Sequence, residues 1–414
     1  SSYIAAFVTP GLGEWVWHSG LADRLVGKHG PTGTLEDKLR GLNLYRANML
    51  AKGKRPQPTT VPVQVLAPNG DAYVGHALQA EAPHGLTPAL YVRQLVGGHW
   101  MPRSQPAPIA RAISQLIDHV EGAAASPDLA AARVQGPRDA KRPLVGQLVV
   151  VTGGGGGIGR ATALDFAKHG ANVVVGDIDL QAADATATQA RALGVTASAY
   201  PLDVADRASF AAFAARVLAE HGTAAIVVNN AGIGIAGPFM STSAADWQRI
   251  LDINLGGVIE GSRLFAQQMI DAGRVGQLVN IASAAAYTSS RTFPAYATTK
   301  AAVLMLSECL RGELAPRGIG VTAICPGFIN TNITRATTYV GVDDVGQAQL
   351  RDRAARDYGR RNYTPERVAQ QIVRAALRNE PLRPVTPEAH VLLAIRRYAP
   401  WLMRRISRVE LTKL

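Results

Sequence analysis

The sequence is poor in cysteine and has no long apolar run. Cys309 and Cys325 are its two cysteines, which excludes a disulfide framework and fits a reducing, cytoplasmic compartment. No run of about 18 apolar residues occurs, so a transmembrane helix is not expected. Neither a CxxC nor an HExxH pattern is present, and we therefore predict no metal site. A signal peptide is also lacking, and Ser1 at the first position predicts that the natural start lies elsewhere.

The charge of the chain is positive and unevenly distributed. The formal net charge is +12, and residues 351–414 hold fifteen Arg or Lys against six Asp or Glu. Within them, the stretch 391–406 sets apolar residues and Trp401 beside two arginine pairs, which is typical of a helix at a membrane interface. A helix docked on a neighbouring subunit explains the same pattern. No recognised nucleic-acid module accompanies the charge, so nucleic acid is not an expected partner.

The length of the chain, 414 residues, predicts two domains. Small and polar residues without periodicity occupy 123–143, apart from a short helix expected at 129–134. This composition predicts an interdomain linker. Residues 1–122 would then form one domain, and residues 144–414 the other.

Residues 1–122 contain few secondary-structure patterns. Strands are expected at 61–67 and 91–96, and an amphipathic helix at 109–120. The apolar stripe of that helix comprises Ile113, Leu116, Ile117 and Val120. Because two or three strands cannot bury the core of an ordinary α/β domain, this domain is expected to be the C-terminal part of a larger one.

Three residues of this first part follow the pattern of a known enzyme family. Asp71 comes just after the first strand, His99 just after the second, and Tyr45 lies in the segment 41–48. They resemble the epoxide hydrolase branch of the α/β-hydrolases, which implies that Asp71 and His99 are the acid and base of a triad. The lid residue Tyr45 would polarise an epoxide oxygen. No nucleophile elbow precedes Tyr45, so hydrolysis by this chain alone is not expected. Alternatively, Asp71 is a turn residue and His99 a capping or core histidine.

A glycine run in the second domain predicts a phosphate-binding turn. The β-branched stretch 149–152 has the pattern of a buried strand, the five glycines 153–157 follow, and a helix is expected from 160 to 168. Glycines let the backbone approach a dinucleotide pyrophosphate, and the helix N-terminus offers free N–H groups. A flexible loop is the alternative for the glycine run taken alone. No Arg or Lys stands within the turn to hold a 2′-phosphate, which favours NAD over NADP.

Alternating strands and helices continue along the second domain, which indicates parallel βαβ units. The strand at 171–177 ends in Asp177, 18 residues after Gly159. A carboxylate there can accept hydrogen bonds from the adenosine ribose and would repel a 2′-phosphate. Asp203, expected at the end of the third strand, can meet the adenine amine. The following strand ends in Asn229, Asn230, Ala231 and Gly232.

Four further polar residues complete the pattern. Asn254 is expected on the buried face of a helix, either as a hydrogen-bonded core amide or as a helix-kinking residue that holds a proton-relay water. Ser283 ends a strand at 277–283. Tyr296 and Lys300 share one face of a helix because they are four residues apart.

In this order, the motifs resemble the short-chain dehydrogenase/reductase family over residues 146–333. The resemblance implies a doubly wound, Rossmann-type parallel sheet, a nicotinamide cofactor, interconversion of a secondary alcohol and a ketone, and a homo-dimer or tetramer. It assigns Tyr296 as acid/base, Lys300 as its tuner and a ribose ligand, Ser283 as partner of the substrate oxygen, and Asn254 as support of the relay. The implied cofactor contacts, besides Tyr296 and Lys300, are Gly153, Gly156, Gly157, Ile158, Gly159, Asp177, Ile178, Asp203, Val204, Asn230, Ala231, Gly232, Pro326, Gly327 and Thr331. The two domains together are similar to two-domain fusion proteins of mycobacteria and their relatives.

Chemistry and substrate are expected to depend on the surroundings of these residues. A free tyrosine with a pKa of about 10 is too weak a base at neutral pH, so the Lys300 ammonium is expected to lower that pKa. The segment 331–362, which contains Tyr339, Val340 and Val342, is expected to cover the substrate. Further apolar contacts from Phe239, Met240 and Phe293 favour a bulky or lipid-like alcohol. Two other functions stay open: a hydrolase with the second domain as a passenger, and a membrane-surface scaffold with a vestigial dinucleotide fold.

Overall fold

The structure, a computed structural model, describes residues 8–26, 34–49, 56–136, 141–329, 337–361 and 363–406. The chain divides into two compact units. The first comprises Ser1–Ala125 with Arg133–Gln135, and the second comprises Ser126–Ala132 with Gly136–Leu414.

The first unit is built around two parallel strands. Its elements are α1 (Leu12–His18), α2 (Leu21–Val26), α3 (Leu35–Met49), β1 (Val63–Pro68), α4 (His76–Glu81), β2 (Leu90–Leu95), α5 (Met101–Ser104) and α6 (Pro106–Val120). Val63 pairs with Leu90 at the start of the β1–β2 ladder, and Tyr91 of β2 also forms an antiparallel bridge to Arg133. Both strands therefore form where their alternating apolar residues predicted them.

Helix α6 is amphipathic as expected, but its apolar stripe is not buried. Ile113, Ile117 and Val120 are 46%, 48% and 58% exposed, and the buried residue of the helix is Ala112. Polar contacts connect α6 to the strands instead. Gln64 Nε2 donates to the carbonyl oxygen of Ala112 at 2.9 Å, and Arg93 donates to Gln115 Oε1 at 2.6 Å.

The second unit alternates strands and helices. Its first half contains α7 (Pro127–Ala132), β3 (Leu148–Thr152), α8 (Gly157–Lys168), β4 (Asn172–Asp177), α9 (Leu180–Arg191), β5 (Ala197–Pro201), α10 (Arg207–His221), β6 (Ile226–Asn229), β7 (Ile235–Ala236), α11 (Ala244–Leu251) and α12 (Gly257–Asp271). Its second half contains β8 (Gly276–Ile281), α13 (Pro294–Leu314), β9 (Ile319–Cys325), β10 (Thr338–Tyr339), α14 (Asp344–Arg361), α15 (Pro365–Leu377), β11 (Leu382–Pro384), α16 (Pro387–Tyr398) and α17 (Pro400–Ile406).

Seven of these strands form one parallel sheet in the order β11-β9-β8-β6-β3-β4-β5. Alternate residues of β3 enter different apolar clusters, because Val149 and Val151 pack in one and Leu148 and Val150 in the other. Burial on both faces is what a doubly wound sheet requires. The expected Rossmann-type α/β fold is therefore confirmed. The strand order reverses between β3 and β6, and ligands of such sheets bind at this point, outside the carboxyl ends of the strands.

Several boundaries differ from those expected. Strand β5 ends at Pro201 rather than at Val204, because Asp203 Oδ1 accepts the N–H of Ala205 at 2.9 Å and turns the chain toward α10. Part of the predicted linker is structured, since Leu129 of α7 is fully buried and Asp128 accepts the N–H of Thr223 at 2.8 Å. None of the helices in the ranges given above is both long and apolar enough to span a bilayer.

Candidate active site

The glycine turn between β3 and α8 is shaped by close backbone contacts and leaves one open space. Gly153 has a φ of +64°, and a Cβ built on it would lie 2.7 Å from the Cα of Ala231. A Cβ on Gly159 would overlap the carbonyl oxygen of Gly153. A Cβ on Gly156, in contrast, meets nothing within 4 Å. The open space therefore lies at the N-terminus of α8, where free N–H groups favour an anion.

Thr152 and Asn230 join the two strand ends at the switch point. Thr152 Oγ1 accepts the N–H groups of Asn230 and Ala231 at 3.1 and 3.2 Å. Asn230 Nδ2 donates to the carbonyl oxygens of Thr152 and Gly153 at 3.0 and 2.9 Å. These bonds hold Gly153 in place, so the Asn230 side chain fixes the conformation of the glycine turn.

The carboxylate of Asp177 also borders the glycine turn. Its Oδ2 accepts the N–H of Gly155 at 2.8 Å, and its Oδ1 accepts the N–H of Asp179 at 3.0 Å. Each carboxylate oxygen has a further acceptor position, so ribose hydroxyls can still donate to Asp177. The neighbouring Ile178 is 75% exposed, which leaves an apolar side chain beside the carboxylate.

Two more of the predicted cofactor contacts lie at the end of β5. Asp203 is exposed and Val204 is buried. Ile158, in the first turn of α8, is half-buried and packs on the apolar cluster beneath the sheet. The structure thus brings the predicted cofactor contacts that follow β3, β4 and β6 to one edge of the sheet, because parallel strands present all their carboxyl ends on the same side.

Ser283, Tyr296 and Lys300 come together at the ends of β8 and α13. The Ser283 hydroxyl lies beside that of Tyr296 and favours the ionised form of the phenol. Lys300 is 4% exposed, and its Nζ donates to the carbonyl oxygen of Ile281 at 2.8 Å. The same Nζ lies 5.8 Å from the centre of the Tyr296 ring. The helix α13 begins at Pro294, two residues before Tyr296.

The electrostatics of this group differ from the expectation. Burial raises the pKa of Tyr296 above its ordinary value, and the hydrogen bond with Ser283 only partly offsets this. The expected lowering by Lys300 is therefore wrong for this structure. Burial likewise lowers the pKa of Lys300 to about 8, and its ammonium is held by a backbone carbonyl instead of the phenol.

Asn254 lies in a π-helical turn, Asp252–Gly256, between α11 and α12. Its side chain is fully buried: Oδ1 accepts the N–H of Ile233 at 2.8 Å, and Nδ2 donates to the Ile233 carbonyl at 3.0 Å. Nδ2 also lies 3.3 Å from Thr299 Oγ1. The carboxamide therefore fixes the backbone after β6. A Cβ on the exposed Gly232 would lie 3.1 Å from Asn254 Oδ1 and 3.5 Å from Lys300 Nζ, so both groups border the same space.

The residues that directly follow β9 border the site beside Ser283. The carbonyl oxygen of Pro326 accepts the N–H of Ala284 at 2.7 Å and lies 3.5 Å from Ser283 Oγ. Glu388 Oε1 accepts the N–H of Phe328 at 2.9 Å, and Gly327 has no room for a Cβ against Glu388. Sequence reasoning missed Glu388, although the helix start at Thr386 with Pro at the next position was a readable signal. Thr331 lies outside the described residues.

The expected substrate-covering segment is described in part, from residue 337 onward. Strand β10 pairs with β7, and Val340 contacts Gly237. Phe239 and Met240 are 62% and 89% exposed, and the Phe239 ring lies 5.9 Å from the ring of Trp247. Phe293 is half-buried.

In the first unit, Asp71 and His99 form a hydrogen-bonded pair. His99 Nδ1 lies 3.0 Å from Asp71 Oδ2, and the two side chains are 35% and 5% exposed. Burial alone would raise the pKa of Asp71, but bonds from Val74, His99 and Tyr73 hold it below its ordinary value. Tyr45 falls in α3, and its side chain lies outside the described part.

Replacing Lys300 with methionine is expected to change how stability depends on pH. A lysine with a folded-state pKa of about 8 and an ordinary value of 10.5 binds fewer protons in the folded chain between these pH values. Wild-type stability should therefore rise over this window, relative to Lys300→Met, by about 3 kcal/mol. Denaturant unfolding from pH 7 to 10 measures the difference, and the exposed Lys168→Met serves as control. If the free energy of unfolding depends on pH in the same way in wild type and Lys300→Met, burial does not lower the pKa of Lys300.

Comparison with known proteins covers both units. The sequence model of the family described as short chain dehydrogenase matches residues 147–339. Over 377 residues the chain is 41% identical to the probable oxidoreductase EphD of Mycobacterium tuberculosis, a match that covers 89% of this chain and 62% of EphD. The chain therefore spans less than two thirds of the length of that relative.

Shorter relatives are covered almost completely. The putative oxidoreductase SadH of M. tuberculosis is 34% identical over 238 residues, which are 57% of this chain and 84% of SadH. The crystal structure of a short-chain dehydrogenase/reductase from Burkholderia phymatum, in complex with NAD, superposes with a TM-score of 0.57 at 29% identity, over 63% of this chain and 95% of that chain. Within the described residues, no three His, Cys, Asp or Glu side chains are grouped so that they could hold a metal ion.

Proposed function

This chain belongs to the short-chain dehydrogenase family, and we propose that it interconverts a secondary alcohol and a ketone with NAD. The observation that carries the proposal is that the Ser283 hydroxyl lies beside that of Tyr296, with Lys300 Nζ 5.8 Å from the centre of the Tyr296 ring. A carbonyl oxygen can accept from both hydroxyls at once. The nicotinamide supplies the hydride when it is bound.

Side chains of this protein exchange a proton with the substrate oxygen and orient that oxygen. Hydride exchange at a carbinol carbon requires a proton on the oxygen, and Tyr296 is the titratable group placed to exchange it. Since burial raises its pKa, Tyr296 stays protonated at neutral pH and is suited to donate to a ketone oxygen. Ser283 orients that oxygen, and Lys300 and Asn254 maintain the shape of the space around Gly232.

The cofactor site is supported by three features of the glycine turn. The space beside Gly156 is open, the N-terminus of α8 faces it, and the Asp177 carboxylate stands at the turn. A carboxylate at this position repels a 2′-phosphate, which supports NAD over NADP.

The test is a panel of long-chain and cyclic secondary alcohols, assayed with NAD and NADP by absorbance of the reduced cofactor. We expect turnover with NAD and at least about tenfold weaker binding of NADPH than of NADH, which is about 1.4 kcal/mol. Asp177→Asn should reduce the difference in affinity between NADH and NADPH, because it raises the affinity for NADPH. The matched variant Asp203→Asn, an exposed carboxylate next to β5, should leave this difference unchanged. Equal affinity of the wild type for both cofactors would overturn the role of Asp177.

We infer a bulky or lipid-like alcohol as the substrate. The exposed side chains of Phe239 and Met240, together with Val342 in the segment after β10 at 43% exposure, supply apolar surface. Such a surface suits a hydrocarbon substituent. Within the panel, kcat/KM should therefore rise with chain length.

The Asp71–His99 pair supports a second activity, epoxide hydrolysis by the first unit. Asp71 receives four hydrogen bonds, so it can hold the imidazole in one orientation. The test is epoxide turnover by this chain and by a chimera that adds the part of EphD that the chain does not cover, with His99→Ala as control. Epoxide turnover that does not depend on His99 would refute it.

We place the protein in the cytoplasm as a homo-dimer or tetramer, in contact with a membrane through its basic end and without a metal ion. The free thiols of Cys309 and Cys325 suit a reducing compartment. Cross-subunit packing is supported by family membership, and the membrane contact by the arginine pairs near the end of the chain.

A further inference from the structure

The last described helices, α16 and α17, expose apolar side chains to solvent. Val391, Ala394 and Tyr398 are spaced by three and four residues, so they share one face of α16. Val391 and Tyr398 are 57% and 76% exposed, and Trp401 in α17 is 54% exposed. These four residues are called the tail face below.

The opposite face of α16 is fixed to the reductase site. Ala389 is fully buried, and Leu392 and Leu393 pack on the apolar cluster that contains the residues following Ser283. Arg396 donates to the carbonyl oxygen of Ala286, and Glu388 accepts the N–H of Phe328. Turning the tail face inward would break these contacts, so its exposure is built into the fold.

The chain segment that contains the tail face carries charge of one sign. The stretch 391–406 contains four arginines and neither Asp nor Glu. The Arg397 guanidinium lies 5.5 Å from the centre of the Tyr398 ring. Aromatic and aliphatic side chains beside arginines match the headgroup region of an anionic bilayer, where the rings enter the interface and the guanidinium groups meet phosphate. A two-fold contact with a second copy would instead set this arginine-rich patch against itself.

We propose that the tail face binds the anionic surface of a phospholipid bilayer. This inference rests on the proposed function only for its consequence: because the inner face of α16 contacts the residues after Ser283, the bilayer lies beside the reductase site. A lipid-like alcohol held in the bilayer is thereby presented close to Ser283 and Tyr296. The surface explains why a helix that braces the site also carries exposed aromatic and cationic side chains.

The experiment is co-sedimentation of the full chain with phosphatidylglycerol vesicles and with phosphatidylcholine vesicles. We expect binding to phosphatidylglycerol that weakens with salt. Arg397→Gln with Arg404→Gln should lower the affinity by about 30-fold, since each arginine near an anionic surface contributes about 1 kcal/mol. The matched control, Arg374→Gln with Arg378→Gln, removes two exposed arginines, one in helix α15 and one directly after it, and should change the affinity by less than about threefold. Val391→Ser with Tyr398→Ser should weaken the binding that persists at high salt.

Three results would overturn the proposal. One is the absence of phosphatidylglycerol binding by the wild type. Another is equal loss of binding in the Arg397/Arg404 variant and in its control. The third is dissociation of an oligomer by Val391→Ser with Tyr398→Ser, measured by light scattering, while vesicle binding is unchanged, because the tail face would then be a subunit interface. NADH binding, measured on the same samples, distinguishes failure of this proposal from failure of the proposed function. Loss of vesicle binding with intact NADH binding contradicts only the membrane role of the tail face. Failure of NADH binding contradicts only the proposed cofactor site.

Discussion

Tyr296→Phe is expected to reduce turnover by about a thousandfold while leaving NADH binding unchanged. The substitution removes one oxygen atom, and positioned acid/base groups of this kind contribute factors of about 10² to 10⁴. Cofactor affinity should persist because the glycine turn, Asp177 and Lys300 are untouched. Steady-state oxidation of the best alcohol of the panel measures the first quantity, and NADH fluorescence titration measures the second.

The chain contains a matched control for this variant. Tyr287 is buried, follows Ser283 by four residues, and has a pKa raised by burial beside Cys325. Its hydroxyl contacts the Cys325 thiol, whereas that of Tyr296 contacts Ser283. Tyr287→Phe should therefore change turnover by less than about threefold, as removal of a non-reacting hydroxyl does. Equal losses in both variants would show that burial of a phenol, and not proton exchange, explains the effect.

Gly159→Ala is expected to destabilise the second unit and to abolish NADH binding. Its methyl group would overlap the carbonyl oxygen of Gly153 and the amide of Asn230, which are hydrogen-bonded to each other, and the amide also donates to the Thr152 carbonyl at the end of β3. Overpacking against fixed backbone costs about 2 kcal/mol or more. Chemical denaturation without cofactor measures the stability.

Gly156→Ala separates stability from cofactor binding at the same turn. Gly156 has a φ of −152°, which alanine adopts without strain, and its methyl group would point into open space. The loss of stability should stay below about 1 kcal/mol, the usual range for alanine at a helix N-cap. NADH affinity should nevertheless fall by about tenfold or more, since this space is where a pyrophosphate would meet the helix N-terminus. Unchanged affinity in a stable Gly156→Ala would show that the pyrophosphate lies elsewhere.

Much of the second unit could be predicted from local patterns. Apolar strands ending in glycine, Asp177, Asn230 or Ser283 repeat along the chain, and parallel strands bring such ends to one edge. The first unit was harder to predict, because its strands β1 and β2 carry too little pattern to define a complete fold. Its Asp71–His99 pair could be predicted only from the resemblance to the α/β-hydrolases, and the structure adds the distance of 3.0 Å between His99 Nδ1 and Asp71 Oδ2.

Protonation states could not be predicted from spacing. The four-residue separation of Tyr296 and Lys300 suggested that the ammonium lowers the pKa of the phenol, but Tyr296 is half-buried, its pKa is raised by desolvation, and the buried Lys300 donates to the Ile281 carbonyl. Burial depends on which distant segments pack on a residue, and one helix face does not contain that information. For the same reason, Asn254 was correctly placed on a buried face, while its pairing with Ile233 became visible only in the structure.

By itself, the sequence determined the parallel α/β class, the order of the site motifs and the family, because strand periodicity, glycine turns and i, i+4 pairs are local properties of the chain. Tertiary structure alone decided the contacts between residues far apart in sequence. Glu388 meets Phe328, Pro326 meets Ser283, and Arg396 meets Ala286. It also decided which apolar faces stay exposed, on α6 and on α16, since exposure depends on what packs against a helix and not on the helix's own pattern.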